Sequence, residues 1–273
     1  MLTKFLADSA KKLLSRLLRS IAVRLSGESF GLICNLRALI KNHEIRFYYD
    51  RKRQIYLARE NTLTRRFKTH KTAYDLYFNG LRYRGLALGS AYFLDAINFS
   101  KGDLVVDCGA NLGDLKLYFE IKNLDVEYVG IEPAPEEFSC MAENIAPSVS
   151  YSFALWHENG VEDFYLSTFN ADSSLIPPVF FESTQSVVTR RLDSLSFANI
   201  KLLKIDAEGA EPEVLLGCSQ KLQQIEYISV DLGPERGVKK ECTLVPVVNF
   251  LIANNYSLLR FDEKRTIALF KRN

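Results

Sequence analysis

The chain has 273 residues, 47% of them hydrophobic, enough for one large domain or a domain with an appendage, which excludes a disordered or fibrous protein. Net charge is only +2, but residues 1–100 carry 19 Lys and Arg against 7 Asp and Glu, and the remainder carries 16 against 26. Five scattered cysteines, never in Cys-x-x-Cys spacing, indicate neither a disulfide framework nor a zinc knuckle and fit a reducing, cytoplasmic setting.

A basic first third suits an anionic partner such as a membrane surface, nucleic acid or a phosphorylated substrate; solvated helix faces explain it equally. Residues 2–25, "LTKFLADSAKKLLSRLLRSIAVRL", place Leu2, Phe5, Leu6, Leu13, Leu14, Leu17, Leu18, Ile21 and Leu25 at helical spacing. Lys4, Lys11, Lys12, Arg16 and Arg19 fall mostly off that stripe, which predicts a basic amphipathic helix. Such a helix serves peripheral membrane contact, self-association or packing on its own domain, or acts as an organellar transit peptide. No secretory pattern is visible, and the longest charge-free stretch, Cys242 to Leu259, holds Pro246 and three asparagines, so no membrane span is expected.

"EIRFYYDRKRQIYLARE" (44–60) reads as two short strands about a charged turn, and 62–97 as one or two helices. Residues 1–90 are therefore expected to form an auxiliary region and 91–273 the main domain. From Asp103 apolar runs alternate with helical patterns: "LVVD", helix 113–121, "VEYVGIE", helix 135–146, "SVSYSFAL", "IKLLKID", helix 209–217, "IEYISVD" and helix 242–253. That alternation predicts βαβ units on a mostly parallel sheet. "NYSLLRF" and "RTIALFKR" about "DEK" should close the chain as an antiparallel hairpin.

The first strand-to-helix turn of such a sheet holds ligand at the carboxyl ends of the strands. Here it reads Gly109-Ala110-Asn111-Leu112-Gly113, without the Gly-x-Gly-x-x-Gly spacing of a dinucleotide site. Asp107 at the strand tip would repel a pyrophosphate and suit a ligand carrying an ammonium and a sulfonium. Glu132, ending the next strand, is placed to accept from ribose hydroxyls. The pair points to S-adenosylmethionine rather than NAD, with Ala154 approaching the adenine through its backbone.

A second acidic stretch, "IDAEGAEPE", puts Asp206 and Glu208 at the ligand edge, with Asp231 ending the next strand. Helix-dipole chemistry accounts for Glu211 and Glu213 but poorly for Asp206 and Glu208, which precede the helix. Asp206, Glu208 and Asp231 can orient a substrate hydroxyl and accept its proton; a divalent cation on their oxygens is the less favoured alternative. His157 is a weaker candidate base, and "NADSSLIPP" (170–178) reads as a substrate-side loop with Ser173 and Ser174 as hydrogen-bonding groups.

Taken together, "VVDCGANLGD", "GIEPAPEEF", "LDSL", "LLKIDAEGAEPEVLLG" and the closing hairpin resemble the FkbM-type S-adenosylmethionine-dependent methyltransferases over about residues 90–271. The resemblance implies an α/β, class I Rossmann-like sheet and O-methylation, commonly of sugar or glycan hydroxyls. It carries Asp107, Gly109, Asn111, Gly113 and Glu132 over as cofactor contacts, and Asp206, Glu208 and Glu211 as the family's acidic stretch. Cys108 is a less usual neighbour of the turn, and the strand ending in Asp231 more often ends in Glu. An RNA methyltransferase, a nucleotide-sugar oxidoreductase and a non-catalytic membrane adaptor are the rival readings. Nucleic acid is not favoured as partner, because only "RFYYDRKRQIY" interleaves basic and aromatic residues and a hairpin explains it as well.

Overall fold

The computed structural model describes residues 2–69, 76–167 and 173–273, with side chains from residue 9 onward. The chain divides into two compact units, 1–85 and 86–273.

The first unit begins with helices α1 (Leu2–Ala22) and α2 (Gly27–Ile40). An antiparallel meander follows, of β1 (Arg46–Asp50), β2 (Ile55–Glu60) and β3 (Leu63–Phe67). α2 packs on β1, where the Asn35 amide donates to Phe47 O (2.8 Å) and accepts from Phe47 N (2.7 Å). The expected hairpin at 44–60 is present, but the helix expected from 62 is corrected at its start by β3. The third strand is hidden in sequence because Arg65, buried between Leu63 and Phe67, interrupts an alternation that would otherwise read apolar. Residues 70–75 of that expected helix, 170–172 of the expected loop and the side chains of Leu2, Phe5 and Leu6 lie outside the described residues.

From α3 (Leu81–Ala91) the chain enters the larger unit. There β4 (Leu104–Cys108), α4 (Lys116–Lys122), β5 (Glu127–Ile131), α5 (Pro135–Asn144) and β6 (Val149–Tyr151) alternate. β7 (Ala154–Leu155), β8 (Gly160–Leu166) and β9 (Ser183–Arg190) form a separate three-stranded sheet in the order β7-β9-β8. The single strand expected over "SVSYSFAL" is thus corrected to two, because β7 pairs with β9. The alternation resumes with β10 (Ile200–Ile205), α6 (Glu211–Leu216), β11 (Ile225–Asp231) and α7 (Leu244–Ala253), and ends in β12 (Tyr256–Asp262) and β13 (Ile267–Arg272).

The central sheet has seven strands in the order β12-β13-β11-β10-β4-β5-β6, parallel from β11 to β6, with the closing hairpin antiparallel. Its strands read as apolar runs because both faces are covered. One face packs Val106, Val129, Leu203 and Ile228 against Val214 of α6 and Leu251 of α7. The other packs Val105, Tyr128 and Leu202 against Phe119 of α4 and Met141 of α5. The chain runs outward from β4 to β6, then returns to β10 on the other side of β4. The crevice of an open α/β sheet lies where the order reverses, here between the carboxyl ends of β4 and β10.

Candidate functional site

The β4 exit bends at once. Gly109 adopts φ +70, and Gly109 and Ala110 both donate their N–H groups to Ile131 O (3.1 and 3.0 Å). A Cβ on Gly109 would stand 1.8 Å from Asp206 O, so both the left-handed backbone and the close pass of the β10 exit require glycine. Asn111 is also left-handed, at φ +50, and its N–H donates to Glu132 Oε2 (2.8 Å). Gly113, at φ +75, packs against Ile145 and Met141 and does not line the cleft.

Glu132 sits one residue beyond β5 and is only 6% exposed. Its Oε1 accepts from Ala134 N (2.9 Å) while Oε2 takes Asn111, leaving one further lone pair on each oxygen. Burial pushes this carboxyl up to about 7, against the lowering effect of the two backbone donors.

Asp107 lies elsewhere than the sequence reading placed it. The carboxylate is 1% exposed, absent from the cleft wall and beneath it, because alternation along β4 turns residue 107 to the sheet face that holds Val105. Parallel register sets it beside Lys204, whose Nζ lies 3.0 Å from Asp107 Oδ1, and the Tyr128 hydroxyl donates to Asp107 Oδ2. Burial raises the Asp107 carboxyl, and Lys204 and Tyr128 oppose it. Lys204 loses solvation too, yet Asp107 and Asp206 outweigh that loss and keep its ammonium charged. The same ammonium donates to Gly109 O (2.8 Å) and Cys108 O (3.2 Å), tying the β4 turn to β10.

Asp206 is half-buried on the cleft wall, with Oδ2 3.6 Å from Lys204 Nζ and accepting from the hydroxyl of buried Tyr92 (2.6 Å). Glu208, at φ +50, also lines the cleft, and Ser174 Oγ donates to its backbone carbonyl (2.8 Å). Asp206, Glu208 and Glu235 bring one carboxylate oxygen each within 4.8 Å of one another. Asp231 does not line the cleft; it accepts from Gly233 N (2.9 Å), and burial followed by the nearby charge of Asp206 pushes it up to about 6.

Glu211 is buried and its Oε1 accepts from Ala207 N (3.0 Å) and Gly209 N (3.1 Å), so it folds the 206–210 turn that aims Asp206 and Glu208. Glu213 pairs with both terminal nitrogens of Arg236 (2.8 and 2.6 Å). His157 stands away from the cleft wall beside Glu158 (3.7 Å).

Gly109, Asn111, Glu132, Asp206 and Glu208 border an open cleft, with about 750 Å³ of empty space counting the solvent at its mouth. Ile131, Phe153, Ala154, Leu155 and Phe164 form an apolar slot, Gly109 and Asn111 offer close backbone approach, and Glu132 supplies an acceptor. Those are what a nucleoside requires: a slot for the base, a glycine turn and a partner for the ribose diol. Ser173 completes the rim, with its Oγ accepting from Ser167 N (2.9 Å). Sequence reasoning passed over Lys204 and Tyr92. A lysine near the inner end of the otherwise apolar stretch after Lys201 in "IKLLKI" was the available signal for the first; Tyr92, 114 residues before its partner, offered none.

Comparison with known families matches residues 107–252, just over half the chain, to the methyltransferase FkbM domain. The chain belongs to the FkbM methyltransferase family. Residues 107–252 are therefore a methyltransferase domain, carried on the mostly parallel, Rossmann-like α/β sheet described above. Among solved structures, the methyltransferase FkbM from Methylobacillus flagellatus KT is 15% identical over 75% of this chain, with a TM-score of 0.49. This chain spans 54% of that protein's length. TrmK from M. capricolum, in complex with S-adenosyl-homocysteine, is 11% identical over 68% of each chain (TM-score 0.37). The N-terminal domain of human METTL16, also in complex with S-adenosyl-homocysteine, is 15% identical over 70% of each chain (TM-score 0.40). A search of curated proteins returns no match.

Proposed function

We propose that this FkbM methyltransferase transfers a methyl group to a hydroxyl of a sugar or glycan. The observation that carries the reading is the chemistry of the cleft's outer end. Glu208 and Ser167 are shared between the cofactor cleft and an adjoining groove lined by Phe180, Phe181, Glu182, Glu235 and Lys240. Carboxylates accept from sugar hydroxyls and aromatic rings pack on apolar sugar faces, whereas three glutamates against one lysine repel a phosphate backbone. RNA therefore fits this groove poorly.

S-adenosylmethionine, when bound, supplies an electrophilic methyl on a sulfonium. Glu132 holds the ribose hydroxyls, the backbone at Gly109 and Asn111 admits the amino-acid portion, and Ala154 and its apolar neighbours hold the base. Asp206 orients the acceptor hydroxyl and accepts its proton. The Tyr92 hydroxyl fixes one Asp206 oxygen, and the Lys204 ammonium stands 3.6 Å from that same oxygen. Asp107 acts through Lys204, as the buried counter-charge that holds the lysine in place. Asp231 raises the local negative potential without reaching the cleft. Alignment of oxygen and methyl contributes most, since such positioning is worth about 7 to 11 kcal/mol.

The test is to incubate the full chain with S-adenosylmethionine and, separately, glycosides, oligosaccharides and structured RNA, following S-adenosylhomocysteine release and product mass. Methyl gain on a glycan is expected. Turnover on RNA alone would overturn the reading.

A further inference from the structure

The two N-terminal helices present an apolar face that the fold leaves bare. In α1, Ser15, Leu18 and Ala22 are buried, while Leu14 (44%), Leu17 (56%) and Ile21 (38%), one position earlier on each turn, are exposed, as is Leu13 (71%). α2 repeats the pattern: Phe30, Gly31, Cys34 and Ala38 are buried, and Leu32 (69%), Leu36 (45%) and Leu39 (56%) face solvent. Seven large aliphatic side chains on one helical pair far exceed the scattered surface apolar residues of a soluble protein and mark an interaction face.

Charge identifies what covers it. Residues 2–41 hold eight Lys and Arg (Lys4, Lys11, Lys12, Arg16, Arg19, Arg24, Arg37 and Lys41) against Asp8 and Glu28. Glu28 is itself paired with Arg51, whose Nε donates to Glu28 Oε1 (2.6 Å). Two copies of such a face would bring like charge together, whereas an anionic bilayer offers both a negative surface and an apolar interior. Neither helix qualifies to span: among the described residues, no helix is long and apolar enough to cross a membrane. We propose that α1 and α2 together form a peripheral docking face for an anionic lipid surface, with the leucines entering the headgroup boundary and the flanking Lys and Arg meeting lipid phosphates. The second helix is what the sequence pattern of residues 2–25 did not include. This inference stands independently of which hydroxyl is methylated.

Vesicle flotation of the full chain tests it, with phosphatidylcholine vesicles compared with vesicles also containing phosphatidylglycerol. The chain should float with the anionic vesicles, less so as salt is raised. Leu32→Glu/Leu36→Glu and Leu13→Glu/Leu17→Glu should each abolish flotation, and Lys12→Glu/Arg16→Glu should weaken partitioning about tenfold or more. An unchanged far-ultraviolet circular dichroism spectrum and melting transition in each variant report that the fold is intact. Failure of the parent chain to float with anionic vesicles overturns the proposal. So does a concentration-dependent dimer, abolished by the leucine variants, in a chain that does not float; the face is then an interface between copies.

Discussion

The ammonium of Lys204 lies 3.0 Å from the carboxylate of Asp107 in the centre of the sheet, where the two residues are 4% and 1% exposed. Strand register makes them neighbours, and the lysine's second carboxylate, Asp206, couples this pair to the cleft. Removing one member strands the other without a counter-charge, which in buried pairs costs about 3 to 5 kcal/mol. Lys204→Met should therefore lower the melting temperature by about 10 °C for a unit of this size. Lys204→Met/Asp107→Asn should recover part of the loss. A thermal denaturation cycle over the four proteins measures the coupling; additive single losses would show that the two side chains do not act as a pair.

Gly109→Ala places a Cβ 1.8 Å from Asp206 O at a residue with φ +70. The left-handed backbone and the overlap each oppose alanine, for a loss of about 2 to 5 kcal/mol. The β4 and β10 exits must separate to admit the methyl, so S-adenosylhomocysteine binding should fall more than stability alone accounts for. Calorimetric titration below the melting transition distinguishes the two: full affinity in the folded variant would show that the turn tolerates separation.

The βαβ texture was readable because strands covered on both faces are mostly apolar, as in Leu104–Cys108, where Asp107 is the one charged residue, and because the turn carries its glycines at spacing that only certain ligands use. Buried polar pairing escaped the reading. Asp107 was assigned to a cationic ligand since no sequence rule reports that Lys204, nearly 100 residues later, becomes its neighbour through a parallel register. β3 was missed for a related reason: Arg65 is buried in a position that composition marks as solvent-facing. Tertiary burial of charge overrides local pattern in both places.

Burial sets Glu132 at about 7, from an ordinary value of 4.5, and only the ionised form accepts from both ribose hydroxyls while keeping its two backbone donors. Affinity for S-adenosylhomocysteine should thus decline as pH falls below about 7, by up to about tenfold per unit. Near neutrality binding should release a proton, seen as a titration enthalpy that depends on the buffer's own ionisation heat. Glu132→Gln should bind weakly and lose both signatures; a wild-type affinity flat from pH 6 to pH 8 would contradict the assignment.

Asp206 touches the cleft and Tyr92 touches Asp206, so their substitutions should differ in kind. Asp206→Asn removes the proton acceptor and should lower kcat on a glycan acceptor about 10² to 10⁴-fold with cofactor affinity nearly intact. Tyr92→Phe leaves the carboxylate in place but removes the donor that fixes one of its oxygens, so kcat should drop less than in Asp206→Asn, with cofactor affinity again nearly intact. Equal losses of kcat in the two variants, with equal losses of stability, would mean that both residues merely support the fold.

Glu211 carries a linkage prediction that needs no acceptor. Its buried carboxyl, raised from 4.5 to about 7 by burial, binds its proton more tightly folded than unfolded. Between those values the native state holds more proton, so stability is greatest at acid pH and is lost as pH rises through about 7. The full contribution over that window is about 3 kcal/mol. Glu211→Gln keeps an oxygen for the Ala207 and Gly209 N–H groups but cannot titrate. Its unfolding free energy from urea denaturation should therefore change less between pH 5 and pH 8 than that of the parent chain. Equal pH slopes in the two proteins would place the Glu211 titration outside the window and leave only its hydrogen-bonding role in the turn that aims Asp206.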